Sequence, residues 1–298
     1  WYRAPMLRLR DIRRRFDRAA AGFDDADFVH AVTRDGLYSR LEPLLLKPDA
    51  ILDLGSATGA MGGLLRKRFK RAHIVSLDLS HVMLRQGRSN KAWFSRSSFV
   101  QGDAHQLPFE DASFDMVVAN QVLPWAPNPQ PVFDEVSRVL RKGGVFAFAT
   151  LGPDSLREVE RAWAGIDAGA HVLRFPDMHD IGDGLVRSGL RDPVLDVDRL
   201  AVTYESVDKL FADLTRVGAR NVLTDRSPGM VGKKKFSAMA DALAGSGTDG
   251  KIVLDLELVY GHCWGSGPKS DPSLYEIDAN RIPRRRPINR PNTQKRDI

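Results

Sequence analysis

The sequence predicts an α/β protein with a doubly wound, mostly parallel sheet and a helical lid inserted after the fifth strand. Short apolar segments alternate with amphipathic ones from Ala50 to Leu151, and two further strand-like runs follow. Alternating strands and helices form right-handed βαβ units, in which helices cover both faces of a parallel sheet. The later runs, Val194–Tyr204 and Ile252–Trp264, are expected to complete the same sheet.

The alternating stretch contains five predicted strands, each short and apolar as buried strands are. They are Ile51–Leu54, Ile74–Leu77, Phe99–Gln101, Met116–Asn120 and Val145–Thr150. The amphipathic segments between them include Ala60–Phe69, Val82–Ser89 and Gln130–Leu140. Before them, residues 11–46 favour helix until Pro48 ends the pattern.

Composition along the chain predicts the domain organisation. Residues 1–48 form an N-terminal helical segment, and residues 49–264 form one domain whose lid lies around residues 152–250. The lid helices are predicted at Asp154–Ala164, Met178–Ser188, Val207–Val217 and Lys235–Ala244. Residues 265–298 are rich in Pro, Arg, Asn and Ser without apolar periodicity, so we expect a disordered tail there.

Overall composition narrows the function classes. Of the 298 residues, 43% are hydrophobic, which is enough for a core, and no apolar run is long enough to cross a bilayer. Cys263 is the only cysteine, which excludes an internal disulfide and favours a cytoplasmic location. The histidines lack the spacing of metal ligands, so no metal site is expected.

The net charge of +6 is concentrated in clusters. These comprise Arg8, Arg10, Arg13, Arg14 and Arg15, then Lys233, Lys234 and Lys235, and finally Arg284, Arg285 and Arg286. Basic clusters attract acidic partners such as nucleic acid, anionic lipid or an acidic protein. They are equally compatible with a solvated surface and a basic tail.

The strongest local signal is the segment Ile51–Gly59, with the sequence ILDLGSATG. An apolar strand runs into a turn of small residues, and a helix follows. Small residues let the backbone approach a ligand, and the helix directs free N–H groups and its positive dipole end toward the same space. The pattern predicts a site for an anionic group.

Polar residues end the next three strands. Asp78 follows the glycine-rich turn within the roughly 20 to 25 residues expected for an acid that accepts hydrogen bonds from ribose hydroxyls. Asp103 is expected to accept from an adenine amine, with Leu79 and Ala104 on either side of the ring. Asn120 ends the fourth strand, beside the expected reaction cleft.

Each of these acids also has a purely structural explanation. Asp53 can cap a turn, Asp78 can cap the helix that follows, and Asp103 can be a turn residue. Their order favours a ligand site, because open parallel sheets bind ligands at the carboxyl ends of successive strands.

Four motifs resemble, in order, those of class I S-adenosylmethionine-dependent methyltransferases: ILDLGSATG, SLDLS, GDAHQLPF and FDMVVANQVLPW. The segment VSRVLRKGGVFAFAT is similar to the helix and fifth strand after the cleft in that family. The resemblance implies a Rossmann-like fold, S-adenosylmethionine as cofactor, and its methionine carboxylate at the turn. The implied cofactor-binding residues are Asp53, Gly55, Ser56, Gly59, Asp78, Leu79, Asp103, Ala104 and Asn120.

Ala57 departs from the family pattern, which usually has a glycine in the middle of the turn. If the backbone φ angle there is positive, alanine costs on the order of 1 kcal/mol relative to glycine. Binding is expected to survive, because Ser56 and Gly59 keep the turn small.

Segments outside the cofactor motifs resemble a narrower family, the malonyl-acyl carrier protein O-methyltransferases of biotin synthesis. These segments are Arg15–Ala20, Leu151–Glu158, His171–Phe175, Asp177–Gly182, Val259–His262 and Trp264. The resemblance implies methyl transfer to the free carboxylate of a malonyl thioester. It also implies an acidic acyl carrier protein as partner, for which Arg13 to Arg15 and Lys233 to Lys235 are the expected docking residues.

A carboxylate acceptor requires no catalytic base, because it is already ionised near pH 7. No catalytic residue is therefore assigned. Arg174 is the first candidate to hold the malonyl carboxylate through a bidentate contact, and His171 is the second. Trp125 and Phe16 are candidates to wall the acceptor and cofactor, although surface exposure of the arginine and ordinary core packing of the aromatic residues also fit.

Three other functions compete with this interpretation. Assembly factors of respiratory complex I share the methyltransferase fold and resemble the chain in several flanking segments, including Gly218–Asn221. Nucleic-acid methylation is disfavoured, because the cleft sequence NQVLPW lacks the NPPY-type pattern and no RNA-binding module is present. A dehydrogenase is disfavoured because the turn is GSATG rather than GxGxxG.

Overall fold

The computed structural model describes residues 7–89, 96–126, 128–167, 169–219, 232–245 and 251–267. The strands in these ranges are β1 (Ala50–Leu54), β2 (His73–Asp78), β3 (Ser97–Gln101), β4 (Phe114–Asn120), β5 (Leu140–Leu151), β6 (Arg191–Tyr204) and β7 (Ile252–Trp264). Most of the predicted tail, and the basic cluster within it, lies outside the described residues.

All these strands join one sheet in the order β3-β2-β1-β4-β5-β7-β6. Strands β1 to β5 are parallel, and β7 lies antiparallel between β5 and β6. The strand order reverses between β1 and β4, which is where doubly wound sheets open a ligand crevice. The predicted fold class is confirmed, including the joining of both late strands to the sheet.

Five helices precede or alternate with the parallel strands: α1 (Leu9–Ala19), α2 (Phe28–Leu41), α3 (Ala60–Arg68), α4 (His81–Ser89) and α5 (Gln130–Val139). Those after β5 are α6 (Arg157–Ala164), α7 (Met178–Arg187), α8 (Val207–Arg216) and α9 (Lys233–Gly245). In the described part of the chain, none of them is long and apolar enough to cross a membrane.

The N-terminal segment is two helices rather than the continuous helical stretch expected from the sequence. The chain passes through a short 3-10 turn at Ala20–Gly22 and a loop before α2 begins. In that loop Asp24 Oδ1 accepts a hydrogen bond from Thr58 Oγ1 at 2.5 Å, so the break brings the loop onto the glycine-rich turn. The second helix ends at Leu41, and Glu42 keeps helical backbone before Pro43, which has no N–H to extend the helical hydrogen bonds.

Apolar side chains fill both faces of the sheet. On one face, Phe133 of α5 packs with Phe146 and Phe148 of β5. On the other face, Leu37 of α2 belongs to a buried cluster with Tyr260 of β7. The sheet is therefore covered on both sides, as its continuous apolar strands require.

The region between β5 and β7 divides into two parts. Helix α7 packs against β6 and α5, in the layer that covers the sheet. Helices α6, α8 and α9 share a separate cluster that includes Trp163, Leu210 and Met239. Because β6 is a sheet strand, these three helices are the elements that remain for a lid.

Arg40 ties α2 to the antiparallel edge of the sheet. Its Nε and Nη2 atoms donate to Asp196 at 2.9 and 2.6 Å, and Nη2 also donates to Asp198 at 2.9 Å. The guanidinium carbon lies 3.8 Å from the centre of the Tyr260 ring. Gly36 faces the same ring, where an added Cβ would lie 2.4 Å from Tyr260 Oη. The glycine therefore allows close packing here and does not break the helix.

Candidate functional site

A narrow cavity of about 100 Å³ opens at the carboxyl ends of the parallel strands. Six of the nine cofactor-binding residues expected from the sequence line it: Gly55, Asp78, Leu79, Asp103, Ala104 and Asn120. The cavity lies at the reversal of strand order between β1 and β4, where ligands bind in sheets of this type.

Asp78 ends β2 and accepts two backbone hydrogen bonds. The Ala57 N–H donates to Oδ2 at 2.9 Å, and the Ser80 N–H donates to Oδ1 at 2.8 Å. The Met83 N–H donates to Ser80 Oγ at 3.1 Å, so Ser80 rather than Asp78 caps α4. Burial raises the pKa of Asp78 to about 6 despite these hydrogen bonds. A ligand that donates hydrogen bonds to this carboxylate would favour the ionised form and lower the pKa again.

Asp103 follows β3 and is held by its own turn. Its Oδ1 accepts from the His105 N–H at 2.9 Å and lies 2.8 Å from His105 Nδ1. Both side chains line the cavity. The aspartate is thus both a turn residue and a wall residue, and its neighbour His105 was not anticipated from the sequence.

The glycine-rich turn has left-handed backbone at Gly55 and Ala57, with φ angles of 68° and 45°. The Gly55 and Ser56 N–H groups both donate to the Leu77 carbonyl, at 2.8 and 2.9 Å. A Cβ on Gly55 would lie 2.3 Å from Val122 Cγ2, so only glycine fits. Ala57 has the positive φ anticipated for it, and its strain costs about 1 kcal/mol.

Three of the expected cofactor residues stand behind the cavity wall. Asp53 is 1% exposed, and its Oδ2 accepts from the Gly62 N–H at 3.0 Å, which anchors the first turn of α3. Burial raises the pKa of Asp53 to about 7. Ser56 is buried, and Gly59 precedes α3 with a φ angle of 85°. These residues support the turn from behind.

A second cavity, of about 1100 Å³, lies between the antiparallel edge of the sheet and the helices α6, α8 and α9. His30, Gln121 and Trp125 line both cavities. The Phe16 ring packs edge-on against Trp125 with centroids 4.9 Å apart, on the side of the narrow cavity. The two aromatic candidates therefore lie together at the boundary between the cavities.

Of the two candidates for holding the acceptor carboxylate, only the histidine lines the second cavity. The His171 ring stacks on the Trp163 ring with centroids 3.7 Å apart, and His171 Nε2 lies 2.6 Å from Asp167 Oδ1. Arg174 is exposed and does not line this cavity, whereas Leu173 and Phe175 do. The exposed arginine is therefore not part of this cavity wall.

His30 and Gln121 were not anticipated from the sequence. The Asn120 Nδ2 group donates to the His30 carbonyl at 3.0 Å, which joins α2 to the end of β4. Burial lowers the pKa of His30 to about 4, so its ring is neutral at pH 7. Gln121 lies in the quoted NQVLPW motif, but a histidine within a helix carries no comparable signal.

The sequence is similar to those of known proteins over most of its length. Residues 52–148 match a family model described as a methyltransferase domain. A Laribacter hongkongensis relative is 40% identical over 85% of this chain and 88% of its own length. One from Halorhodospira halophila is 37% identical over 93% and 96%. Both are named malonyl-[acyl-carrier protein] O-methyltransferase. The chain belongs to this family.

Solved structures show the same fold at low sequence identity. The YcgJ protein of Bacillus subtilis matches with a TM-score of 0.56 and 14% identity, over 80% of this chain and all of its own. A Haemonchus contortus phosphoethanolamine N-methyltransferase in complex with S-adenosylhomocysteine matches with a TM-score of 0.54 and 14% identity, over 87% of this chain and 60% of its own.

S-adenosylmethionine is the cofactor of this methyltransferase family, and the residues that line the narrow cavity suit it. Gly55, Asp78 and Asn120 line it at the ends of three neighbouring strands. Asn120 lines the cavity, and its Oδ1 is buried with no hydrogen-bond partner among the described residues, which leaves it available to a ligand donor.

Proposed function

We propose that this protein transfers the methyl group of S-adenosylmethionine to the free carboxylate of a malonyl thioester on acyl carrier protein, an early step of biotin synthesis. The observation that carries this proposal is the meeting of two cavities at His30, Gln121 and Trp125. One cavity has the strand-end acids of a nucleoside site, and the other leaves room for an acceptor. The names of the relatives supply the acceptor and favour an enzyme over an assembly factor.

In this proposal the strand ends hold the cofactor. Asp78 accepts hydrogen bonds from the ribose hydroxyls, and Asp103 accepts from the adenine amine between Leu79 and Ala104. The turn at Gly55 receives the methionine carboxylate. Asp53, Ser56 and Gly59 act through the shape of the turn, since they lie behind the wall.

The chemistry requires positioning rather than proton transfer. The cofactor, held at the strand ends, would supply an electrophilic methyl group to the acceptor oxygen and would leave as S-adenosylhomocysteine. The acceptor is already a carboxylate near pH 7, so no residue needs to remove a proton. Orienting the two reactants can contribute about 7 to 11 kcal/mol.

The carrier protein is proposed to dock on the basic residues beside the second cavity. Arg15, Lys234 and Lys235 line that cavity, and Arg13 and Arg14 are exposed on the same helix as Arg15. Opposite charges accelerate encounter with an acidic carrier. Reversing the charge of Lys233, Lys234 and Lys235 together is expected to raise KM for malonyl carrier protein and weaken its salt dependence. Unchanged values would contradict docking at α9.

The proposal is tested with purified protein, labelled S-adenosylmethionine, and either malonyl carrier protein or free small acids. We expect label on the malonyl carrier protein. Absence of transfer, with intact cofactor binding, would favour the assembly-factor alternative. A cytoplasmic location and the absence of a nucleic-acid partner stay predictions. The buried free thiol of Cys263 is compatible with the first.

A further inference from the structure

The wall between the two cavities limits where methyl transfer takes place. Of the described residues, His30, Gln121 and Trp125 line both spaces. Direct transfer needs donor and acceptor atoms in line and almost in contact. If the cofactor occupies one cavity and the acceptor the other, as the proposed function holds, the reacting carboxylate lies against these three side chains.

Two of these side chains carry a buried nitrogen atom for which the described ranges offer no hydrogen-bond partner. Gln121 is 6% exposed, and its Nε2 is buried with no hydrogen-bond partner among the described residues. The same holds for His30 Nδ1. Buried polar atoms are nearly always paired. The amide Nε2 of Gln121 can only donate, and His30 Nδ1 donates in the tautomer that carries its proton there. Two such nitrogens in one cavity wall point to a ligand that accepts hydrogen bonds.

The backbone at Gln121 supports the same conclusion. Its φ angle is 58°, in the left-handed region that a residue with a side chain rarely adopts. The conformation is held in place by the Gln121 N–H, which donates to the Ala149 carbonyl of β5 at 2.8 Å. Strained residues of this kind cluster at ligand sites, where surrounding contacts enforce them.

We propose that His30 and Gln121 form the subsite for the acceptor carboxylate, with the imidazole and the amide donating hydrogen bonds to its oxygens and Trp125 forming the apolar wall. Both donors are uncharged, because burial keeps the pKa of His30 near 4. Uncharged donors orient the carboxylate and leave its negative charge unneutralised, which preserves its nucleophilicity. An arginine would pair with that charge, and Arg174 is exposed and off the cavity wall.

The first test replaces Gln121 with glutamate, which keeps the shape of the side chain but replaces a donor with a carboxylate. We expect kcat/KM for malonyl carrier protein to fall about 100-fold, the size expected for losing a charge-assisted hydrogen bond. The dissociation constant of S-adenosylhomocysteine is expected to stay at the wild-type value. Gln86→Glu makes the same change at an exposed position of α4 and is expected to change neither constant.

A second variant, His30→Phe, keeps a ring and removes the donor, so that the proposal does not depend on one substitution. We expect a rise in KM for malonyl carrier protein without loss of S-adenosylhomocysteine binding. Wild-type kcat/KM in a folded Gln121→Glu protein would overturn the subsite. Parallel loss of cofactor binding and thermal stability in both variants would also overturn it, since it would indicate a structural role.

A binding measurement separates the subsite from the proposed function. If wild-type protein does not methylate malonyl carrier protein, the proposed function fails. Malonate is then titrated calorimetrically into wild-type and Gln121→Glu protein saturated with S-adenosylhomocysteine. Binding that the variant loses supports a carboxylate subsite, and equal binding or no binding overturns it.

Discussion

The two cavities differ in how far apart in the sequence the residues of each wall lie. The cofactor cavity is built mainly from the ends of neighbouring strands, and its polar side chains are held by local hydrogen bonds such as Ala57 to Asp78. The wall toward the second cavity joins α2 to the end of β4 through Asn120 and His30, which are 90 residues apart. A local site can be recognised from motifs, whereas an assembled one depends on the complete fold.

The largest expected effect is at the cofactor cavity, whose polar side chains are held by local hydrogen bonds. Asp78→Asn keeps the size of the side chain but removes the charge that accepts from ribose hydroxyls. We expect the dissociation constant of S-adenosylhomocysteine to rise at least about 100-fold, because hydrogen bonds to a charged group contribute about 1.5 to 3 kcal/mol each. Calorimetric titration measures this, with Asp180→Asn on α7 as a control. Unchanged affinity would contradict the assignment of the cofactor cavity.

The next effect is the pH dependence of cofactor affinity. The pKa of Asp78 is raised to about 6, and a ligand that donates to it prefers the ionised form. Affinity for S-adenosylhomocysteine should therefore fall as the pH falls below 6, by up to about tenfold per unit. Asp78→Asn should flatten this dependence. A profile that is flat between pH 5 and 7 in wild-type protein would contradict the proposed role of the carboxylate.

The stability of the ligand-free protein should change with pH in the opposite direction. Asp53 and Asp78 both have folded-state pKa values raised above the ordinary carboxyl value by burial. Their contribution to stability is present below about pH 4 and is lost as the pH rises through about 6 to 7. Replacing Asp53 with asparagine should reduce this loss, as chemical unfolding at pH 5 and pH 7 would measure. An unchanged difference would contradict it.

A smaller effect, on stability, is expected where Arg40 joins α2 to the antiparallel edge of the sheet. Arg40→Ala removes the contacts to Asp196, Asp198 and Tyr260. Because these groups are partly exposed, we expect the free energy of unfolding to fall by only about 1 to 2 kcal/mol. Cofactor affinity should not change. A Lys67→Ala control on α3 should leave stability within about 0.5 kcal/mol.

The smallest effect on stability is expected at Ala57, where the glycine-rich turn departs from the family pattern. Ala57→Gly relieves positive-φ strain and should raise the free energy of unfolding by up to about 1 kcal/mol. Cofactor affinity should stay the same or improve a few-fold. Thermal unfolding with and without S-adenosylhomocysteine measures both. A loss of stability would mean that the alanine methyl contributes packing that outweighs its strain.

The sequence was sufficient to predict the sheet and most of the cofactor wall. Alternating apolar segments predicted four strands to within two residues of their observed bounds, whereas β5 begins five residues earlier than predicted. Asp78 could be identified from its position after β2. The positions of Asp53 and Ser56 could not be inferred, because a side chain at a strand end points either into the crevice or behind it. That choice depends on the path of the turn.

The acceptor wall could not be predicted for a different reason. His30 lies within a helix, and only the packing of α2 over the end of β4 brings it beside Gln121. Arg174 was favoured as a cation flanked by Leu173 and Phe175, but the structure places only these two neighbours in the lining of the second cavity. Residues that meet through long-range packing leave no local pattern.

The most direct test of the central claim compares malonyl carrier protein with acetyl carrier protein as acceptors. The two thioesters differ in the free carboxylate that is proposed to receive the methyl group. With labelled S-adenosylmethionine, we predict transfer to malonyl carrier protein alone, as a methyl ester that mild alkali releases as labelled methanol. Equal labelling of both carriers, or label that resists alkali, would contradict methyl transfer to the malonyl carboxylate.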